Sequence, residues 1–195
     1  YGLEARAFPL PSEYDDNFRL EAAGGTSRVL KIMHPDRRPD LVDMQCSALA
    51  RIAARDPGLP VPQVVPDAAG RPWSRAAVGD GPPRIVWMLS YLEGRPMAGV
   101  RPVTAGLLEE IGGALARLDL ALEGFSHPAA GRELKWDLVR AGWIRERLDL
   151  LRDPRRRALV ERTLARYEAE AAPALAGLRR GVVYADANEH NVLVR

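Results

Sequence analysis

Only one cysteine, Cys46, occurs among the 195 residues. No disulfide can therefore form within the chain, and a reducing cytoplasm is the expected setting. Histidine is scarce too: the three present lie far from one another and from Cys46, so no zinc-ligand spacing arises. No run of about 18 apolar residues occurs, so no membrane-spanning helix and no membrane partner are expected. The opening residues, YGLEARAFPL, offer neither an initiator Met nor a basic-then-apolar leader. The sequence reads as a piece of a longer polypeptide. Lysine is the sharpest deficit. Of 28 basic residues only Lys31 and Lys135 are lysines, so each stands where arginine was otherwise preferred.

What remains is ordinary for a globular protein. Hydrophobic residues make up 47% and charged residues 28%, enough to build and solubilise a core. A net charge of +2 is too small to indicate a nucleic-acid partner. The charge is uneven: residues 132–180 carry 13 basic against 8 acidic side chains, and the rest of the chain 15 against 18. In the basic segment acids intersperse the arginines and aromatics do not interleave them. That pattern fits solvated helix faces better than a nucleic-acid groove.

Along the chain, NFRLEAAGGTSRVLKIM (17–33) predicts a β-hairpin turning at Gly24–Gly25, where glycine accepts positive φ. Asp40 caps a predicted helix to about Arg55, with Leu41, Ala48, Leu49 and Ile52 at helical spacing. A Pro/Gly-rich connection follows. RIVWMLSYLEG (84–94) predicts a buried strand running into a Gly-terminated linker. Leu108, Ile111, Leu115, Leu118 and Leu122 then mark one face of a helix, and further helices are expected over 136–151 and 156–178. Short strands at 181–184 and 192–195 frame a polar loop. Leu159, Leu164, Tyr167 and Leu175 are expected to face the core. A β-rich first part followed by a helical second part makes an α+β protein in two lobes, here 1–92 and 93–195.

Four pieces could carry chemistry. Asp186 and Asn191 share one tight loop in YADANEHNVLV; an Asp there can take a proton from a hydroxyl, and a neutral Asn oxygen can ligate Mg²⁺. D-x-x-x-x-N alone is a weak pattern, and turn capping by both residues is the bland alternative. Lys31, inside the apolar RVLKIM, is a point charge suited to phosphate oxygens; the alternative is a solvent-facing edge-strand lysine. Gln45 shares the apolar stripe of the 40–55 helix, so an inward amide accepting from Lys31 is expected, against an amide at the rim meeting water. In MLSYLEG, the Ser90 carbonyl and the Leu92 N–H are the candidate pair for an adenine edge.

Their order along the chain resembles the protein-kinase-like fold, in the branch of aminoglycoside phosphotransferases and related small-molecule kinases. The similarity runs over essentially the whole chain and is carried by VLKI, YLEGRPM and YADANEHNVLV. The D-A-N start of the last segment, with DNFRL and LKWDL, is most similar to hydroxylysine-kinase-like members. The resemblance implies a bilobal fold: an antiparallel β-sheet nucleotide-binding N-lobe and a mostly helical C-lobe holding the catalytic loop. It implies transfer of the γ-phosphate of ATP, with Mg²⁺, to a hydroxyl of a small amine-bearing molecule. Asp186 would be the catalytic Asp and Asn191 a metal ligand. Lys31 would touch the phosphates, with Gln45 beside it, and Ser90 and Leu92 would meet adenine. SEYDDNFRL (12–20) would cover the phosphates through Ser12 and Asn17. Some bacterial relatives of this group are fused to an aminotransferase, so a fused parent polypeptide is a further expectation.

The departures from the pattern are specific. Gln45 stands where the family usually has Glu, and Tyr184–Ala185 where it has His–Gly. The family's second metal-binding Asp is expected beyond Arg195, so the chain reads as C-terminally truncated and close to inactive alone. Together these features support a second reading, a kinase-fold nucleotide-binding module without turnover.

Overall fold

The computed structural model describes residues 1–134 and 136–195; Lys135 lies outside the described residues. The GlyGly pair does what its sequence requires. Both residues hold positive φ (98° and 81°), and the turn closes through Gly25 N–H to Ala22 O at 3.2 Å. It joins β2 (Asp16–Ala22) to β3 (Ser27–Ile32) in an antiparallel register that places Asn17 opposite Lys31. A strand not anticipated from the sequence, β1 (Ala5–Leu10), pairs with the outer edge of β2. Its outward positions are mostly exposed, so it lacks the apolar alternation that would have marked it.

After α1 (Pro39–Arg55) come β4 (Val64–Val65), β5 (Ser74–Ala76) and β6 (Arg84–Ser90). The sheet runs β1-β2-β3-β6-β4, with β5 also on β6. The apolar run at 85–89 is buried throughout because β6 is the central strand, covered on both faces. One core cluster sits under α1 and joins Val42 and Cys46 to Met33, Ile85, Trp87 and Leu89. A second lies between α1 and α2 (Ala105–Leu122), joining Ile52 and Leu59 to Leu118, Ala121 and Leu122. Thr104 caps α2 by accepting from the Leu107 N–H at 3.2 Å. Arg117 of α2 forks onto Asp56, just past α1, with both contacts at 2.7 Å. Leu108, expected on the inward face, is 53% exposed. It belongs to the first turn of α2, before the helix reaches the cluster at Leu118–Leu122.

The chain divides into two compact units, Tyr1–Ala130 with Gly181–Arg195, and Gly131–Arg180. In the second, the helix expected over 136–151 is a run of 3₁₀ turns, Leu138–Leu150. α3 (Pro154–Arg166) passes through a π-turn at Tyr167–Ala171 into the short α4 (Ala172–Leu175). Leu164 is buried as expected, but Leu159 is exposed. Among the described residues no helix is long and apolar enough to cross a membrane.

Candidate active site

The polar loop near the C-terminus is organised by its own amides. The Asn191 Nδ2 group gives one hydrogen to the Asp186 backbone oxygen at 2.9 Å and one to Asp186 Oδ2 at 2.8 Å. Asn188 Nδ2 donates to Asp186 Oδ1 at 2.9 Å, and the Asn188 N–H to the Asp186 carbonyl at 2.9 Å. The Asp186 carboxylate is thus fixed from both sides, yet the residue remains exposed. Both Asn191 amide hydrogens are engaged, and its neutral Oδ1 meets no hydrogen-bond donor among the described residues.

Ala185, where the resembled family has Gly, sits at φ = +58°. An L-residue is strained there by roughly 1–2 kcal/mol, so the turn geometry persists although the sequence does not favour it. The Tyr184 hydroxyl makes no hydrogen bond among the described residues. Partial burial, then the Asp186 carboxylate, push its pKa up, so it stays protonated.

The loop does not lie in a hairpin with 181–184, as the sequence suggested. Residues 181–184 form no strand. Instead β8 (Leu193–Val194) pairs antiparallel with β7 (Arg95–Pro96), the segment just after the linker. The Met97 N–H donates to Val192 O at 2.8 Å and the Ala98 N–H to Glu189 O at 2.9 Å. Gly94 explains why the two segments approach so closely. Its φ is +144°, and a Cβ there would meet Leu193 Cβ at 3.1 Å and Val194 O at 3.2 Å. Val182 of this segment packs against the second core cluster instead, whereas the linker offers main-chain groups to β8 directly.

Lys31 is half-buried, its Nζ 5.9 Å from the centre of the Trp87 ring. Burial lowers its pKa, and Asp15 acts in the opposite sense. Gln45 is not its partner: the amide is exposed, and no hydrogen bond joins the two side chains among the described residues. The reason lies in where α2 ends. At 100° per residue, Gln45 does share the stripe of Leu49 and Ile52. α2 covers that stripe one and two turns further on, and no described residue covers it at Gln45. The α1 acids are engaged elsewhere. Asp40 pairs with Arg38, while Asp43 accepts from Trp73 Nε1 at 3.3 Å and lies 3.2 Å from His127 Nε2.

The other expected residues are placed as follows. Ser12 is exposed in the β1–β2 loop. Asn17 faces Lys31 across β2–β3, and its Oδ1 is buried without a hydrogen-bond partner. Ser90 ends β6 and is braced to Gln63, N–H to O at 2.8 Å and Gln63 N–H to Oγ at 2.9 Å. Leu92 lies two residues on, in the linker, and its N–H meets no backbone acceptor among the described residues. Missed by the sequence reading was Asp15, which accepts from the His34 N–H at 2.9 Å and from Arg37 at 3.1 and 3.2 Å. Its place beside Asn17 in DDNF was the only available signal.

These residues fit a nucleotide and a hard cation. Among the described residues no carboxylate forms an ion pair with the half-buried Lys31 ammonium, and Asn17 holds a buried oxygen without a hydrogen-bond partner. Asn191 and Asp186 provide oxygen donors of the kind Mg²⁺ takes. Among the described residues no cluster of three His, Cys, Asp or Glu forms a metal site without a ligand's help.

Residues 7–195 match the model of the phosphotransferase enzyme family. The chain is 31% identical to hydroxylysine kinase of Mus musculus over 95% of its own length and 53% of the relative's. It is 30% identical to that of Bos taurus over 100% and 55%. It therefore spans about half the length of the curated relatives it matches. Among solved structures it is similar to amicoumacin kinase hAmiN in complex with AMP-PNP, Ca²⁺ and Ami, with a TM-score of 0.66 at 17% identity. That likeness covers 97% of this chain and 55% of the other. It is also similar to a microcompartment-associated aminopropanol kinase, with a TM-score of 0.53 at 22% identity over 70% and 42%.

Proposed function

This chain belongs to the phosphotransferase enzyme family, and on that premise we propose that it holds the nucleotide-binding and catalytic-loop residues of a small-molecule kinase. The acceptor would be a hydroxyl on an amine-bearing molecule of the hydroxylysine class. The observation that carries this reading is the Asp186–Asn191 arrangement. One side chain fixes the carboxylate with its amide hydrogens and keeps its own carbonyl oxygen without a hydrogen-bond donor among the described residues. The acceptor class is supported by the hydroxylysine kinases, which share about 30% of residues with this chain.

In this reading ATP would supply the γ-phosphoryl group and Mg²⁺ would offset its charge. Residues 1–92 hold the nucleotide: Lys31 places a positive charge against phosphate oxygens, Ser12 and Asn17 lie over them, and Ser90 and Leu92 offer backbone groups to the base. Residues 93–195 hold the catalytic loop. Asp186 accepts the proton of the acceptor hydroxyl and orients its oxygen, while Asn191 Oδ1 ligates the cation. The chain's contribution is positioning and charge neutralisation rather than covalent chemistry. A reducing cytoplasm suits the buried free thiol of Cys46, whose pKa burial pushes up to about 12.

Titration with AMP-PNP and Mg²⁺ tests the division of labour. Lys31→Ala should weaken binding about tenfold or more, a loss of about 1.4 kcal/mol. Asp186→Ala should leave binding nearly unchanged and abolish transfer to hydroxylysine, ethanolamine, choline, homoserine or an aminoglycoside. Equal losses of nucleotide affinity from the two substitutions would overturn the assignment.

A further inference from the structure

A cavity of about 270 Å³ lies where the linker meets the catalytic loop, and none of the roles assigned above uses it. Met97, Ala98, Arg101 and Val103 line it together with Glu189, which stands between Asp186 and Asn191 in the loop. Its volume falls just below the usual range for drug-sized ligands, so it suits a smaller molecule. Main-chain bonds join the two segments that form it: the Met97 N–H donates to Val192 O at 2.8 Å, and the Ala98 N–H to Glu189 O at 2.9 Å. The same loop fixes the Asp186 carboxylate through Asn188 and Asn191. The cavity wall and the catalytic carboxylate therefore belong to one hydrogen-bonded piece.

The charges in this cavity are opposite in sign and do not neutralise each other. Arg101 Nη1 donates to Ala98 O at 3.2 Å and to Val100 O at 2.6 Å. Its Nε and Nη2 meet no acceptor among the described residues. The Glu189 side chain is exposed and enters no hydrogen bond or ion pair among the described residues. An arginine and a glutamate lining one cavity gain from pairing with each other; here backbone carbonyls hold the guanidinium instead. Such a site selects by charge pattern. A lone anion is repelled by Glu189, and a lone cation by Arg101. A molecule carrying both charges meets a partner for each. Met97 and Val103, the latter 40% exposed, offer apolar surface to a methylene chain.

We infer that this cavity is a subsite for the head group of an α-amino acid, with Arg101 taking the α-carboxylate and Glu189 the α-ammonium. The inference rests on the small-molecule-kinase reading and narrows its acceptor from an amine-bearing molecule to a free amino acid with a hydroxyl on its side chain. Such an acceptor is anchored by a residue of the loop that carries Asp186, so head-group recognition and hydroxyl placement share one support. A simple amino alcohol lacks the carboxylate and leaves Arg101 unmatched, which is how the site tells the two apart.

The test is a titration of the 195-residue chain, without nucleotide, followed by the amide NMR shifts of Met97 and Ala98. Three probes are used: hydroxylysine, the diamino alcohol left by removing its α-carboxylate, and the hydroxy acid left by removing its α-amine. Hydroxylysine should bind about tenfold more tightly than either analogue, since each analogue loses one charge-assisted contact. Glu189→Gln should weaken hydroxylysine and the diamino alcohol about tenfold and leave the hydroxy acid unchanged. Arg101→Met should weaken hydroxylysine and the hydroxy acid and leave the diamino alcohol unchanged. No shift with hydroxylysine, equal affinity for the three probes, or losses that do not follow the missing group overturn the inference. Should Arg101→Met fail to fold, because Arg101 also holds two carbonyls, Glu189→Gln decides. Hydroxylysine binding equally well to that variant and to the wild type overturns the inference. Binding of AMP-PNP keeps the two readings apart. A chain that takes AMP-PNP but does not sort the probes overturns the subsite and leaves the kinase reading standing. A chain that sorts the probes but takes no AMP-PNP supports the subsite and overturns the nucleotide reading.

Discussion

Two residues concentrate what is unusual about the catalytic loop. Ala185 adopts a left-handed backbone at φ = +58° where a glycine would be relaxed. Ala185→Gly should stabilise the chain by about 1 kcal/mol, less strain being partly offset by a freer unfolded chain; urea denaturation reads this directly. The strain persists because four hydrogen bonds from Asn188 and Asn191 over-determine the turn that follows. Asn191 has the larger chemical effect. Asn191→Ala removes both amide hydrogens from Asp186 and the outward oxygen together. Transfer should fall about a hundredfold or more, since misplacing a catalytic group by an ångström has effects of that size. The circular-dichroism spectrum should not change, because the residue is exposed.

At the scale of elements, the β7–β8 pair ties the linker to the catalytic loop, and Gly94 permits it. Gly94→Ala puts a Cβ 3.1 Å from Leu193 Cβ and 3.2 Å from the Val194 carbonyl, in a backbone region that alanine rarely enters. A loss of about 1–3 kcal/mol is expected. The amides of Met97 and Ala98, bonded to Val192 and Glu189, should exchange faster in this variant than in the wild type. Helix α2 offers an independent check. Thr104→Ala deletes the cap on Leu107 N–H and should cost about 1 kcal/mol, leaving exchange at Met97 and Ala98 unaltered.

At the scale of the whole molecule, the two compact units differ in what holds them. The first contains both core clusters and the six-stranded sheet. In the second, among the described residues, only Ala141 and Leu164 are buried, and Leu138–Leu150 is a long succession of 3₁₀ turns, whose hydrogen bonds are poorly aligned. Hydrogen exchange should therefore be slowest in β2, β3 and β6 and fastest in Leu138–Leu150. Acid should weaken both units. Arg117 holds the pKa of Asp56 down, Arg71 that of Asp67, and Arg145 that of Glu168. A lowered native pKa gives stability that is complete above the unfolded value and is lost as pH falls through the native one. The thermal midpoint should thus hold near neutrality and decline below about pH 4. A midpoint insensitive to acid would contradict these pairings.

Much of this was written in the sequence, and the rest was not, for identifiable reasons. The hairpin at Gly24–Gly25, the buried strand at 85–89, α1, α2 and the pairing of Asp186 with Asn191 on one loop follow from local rules: glycine's freedom at positive φ, apolar periodicity, and the reach of neighbouring side chains. The family resemblance rested on those same segments. Gln45 shows where local rules stop. Its helical phase was read correctly, but whether a phase is buried depends on another helix, and the cluster shared with α2 takes in α1 from Ala48 onward. The partner of β8 was hidden for the same reason, because a two-residue strand carries no periodicity and Gly94 reveals its role only when Val194 lies against it. Asp15 is the clearest case. Nothing in its own sequence distinguishes it from Asp16. The tertiary structure brings His34 and Arg37 to Asp15 and Arg84, from a distant strand, to Asp16, so the local chain determined that two acids stand together where β2 begins and the tertiary structure decided which partner each takes.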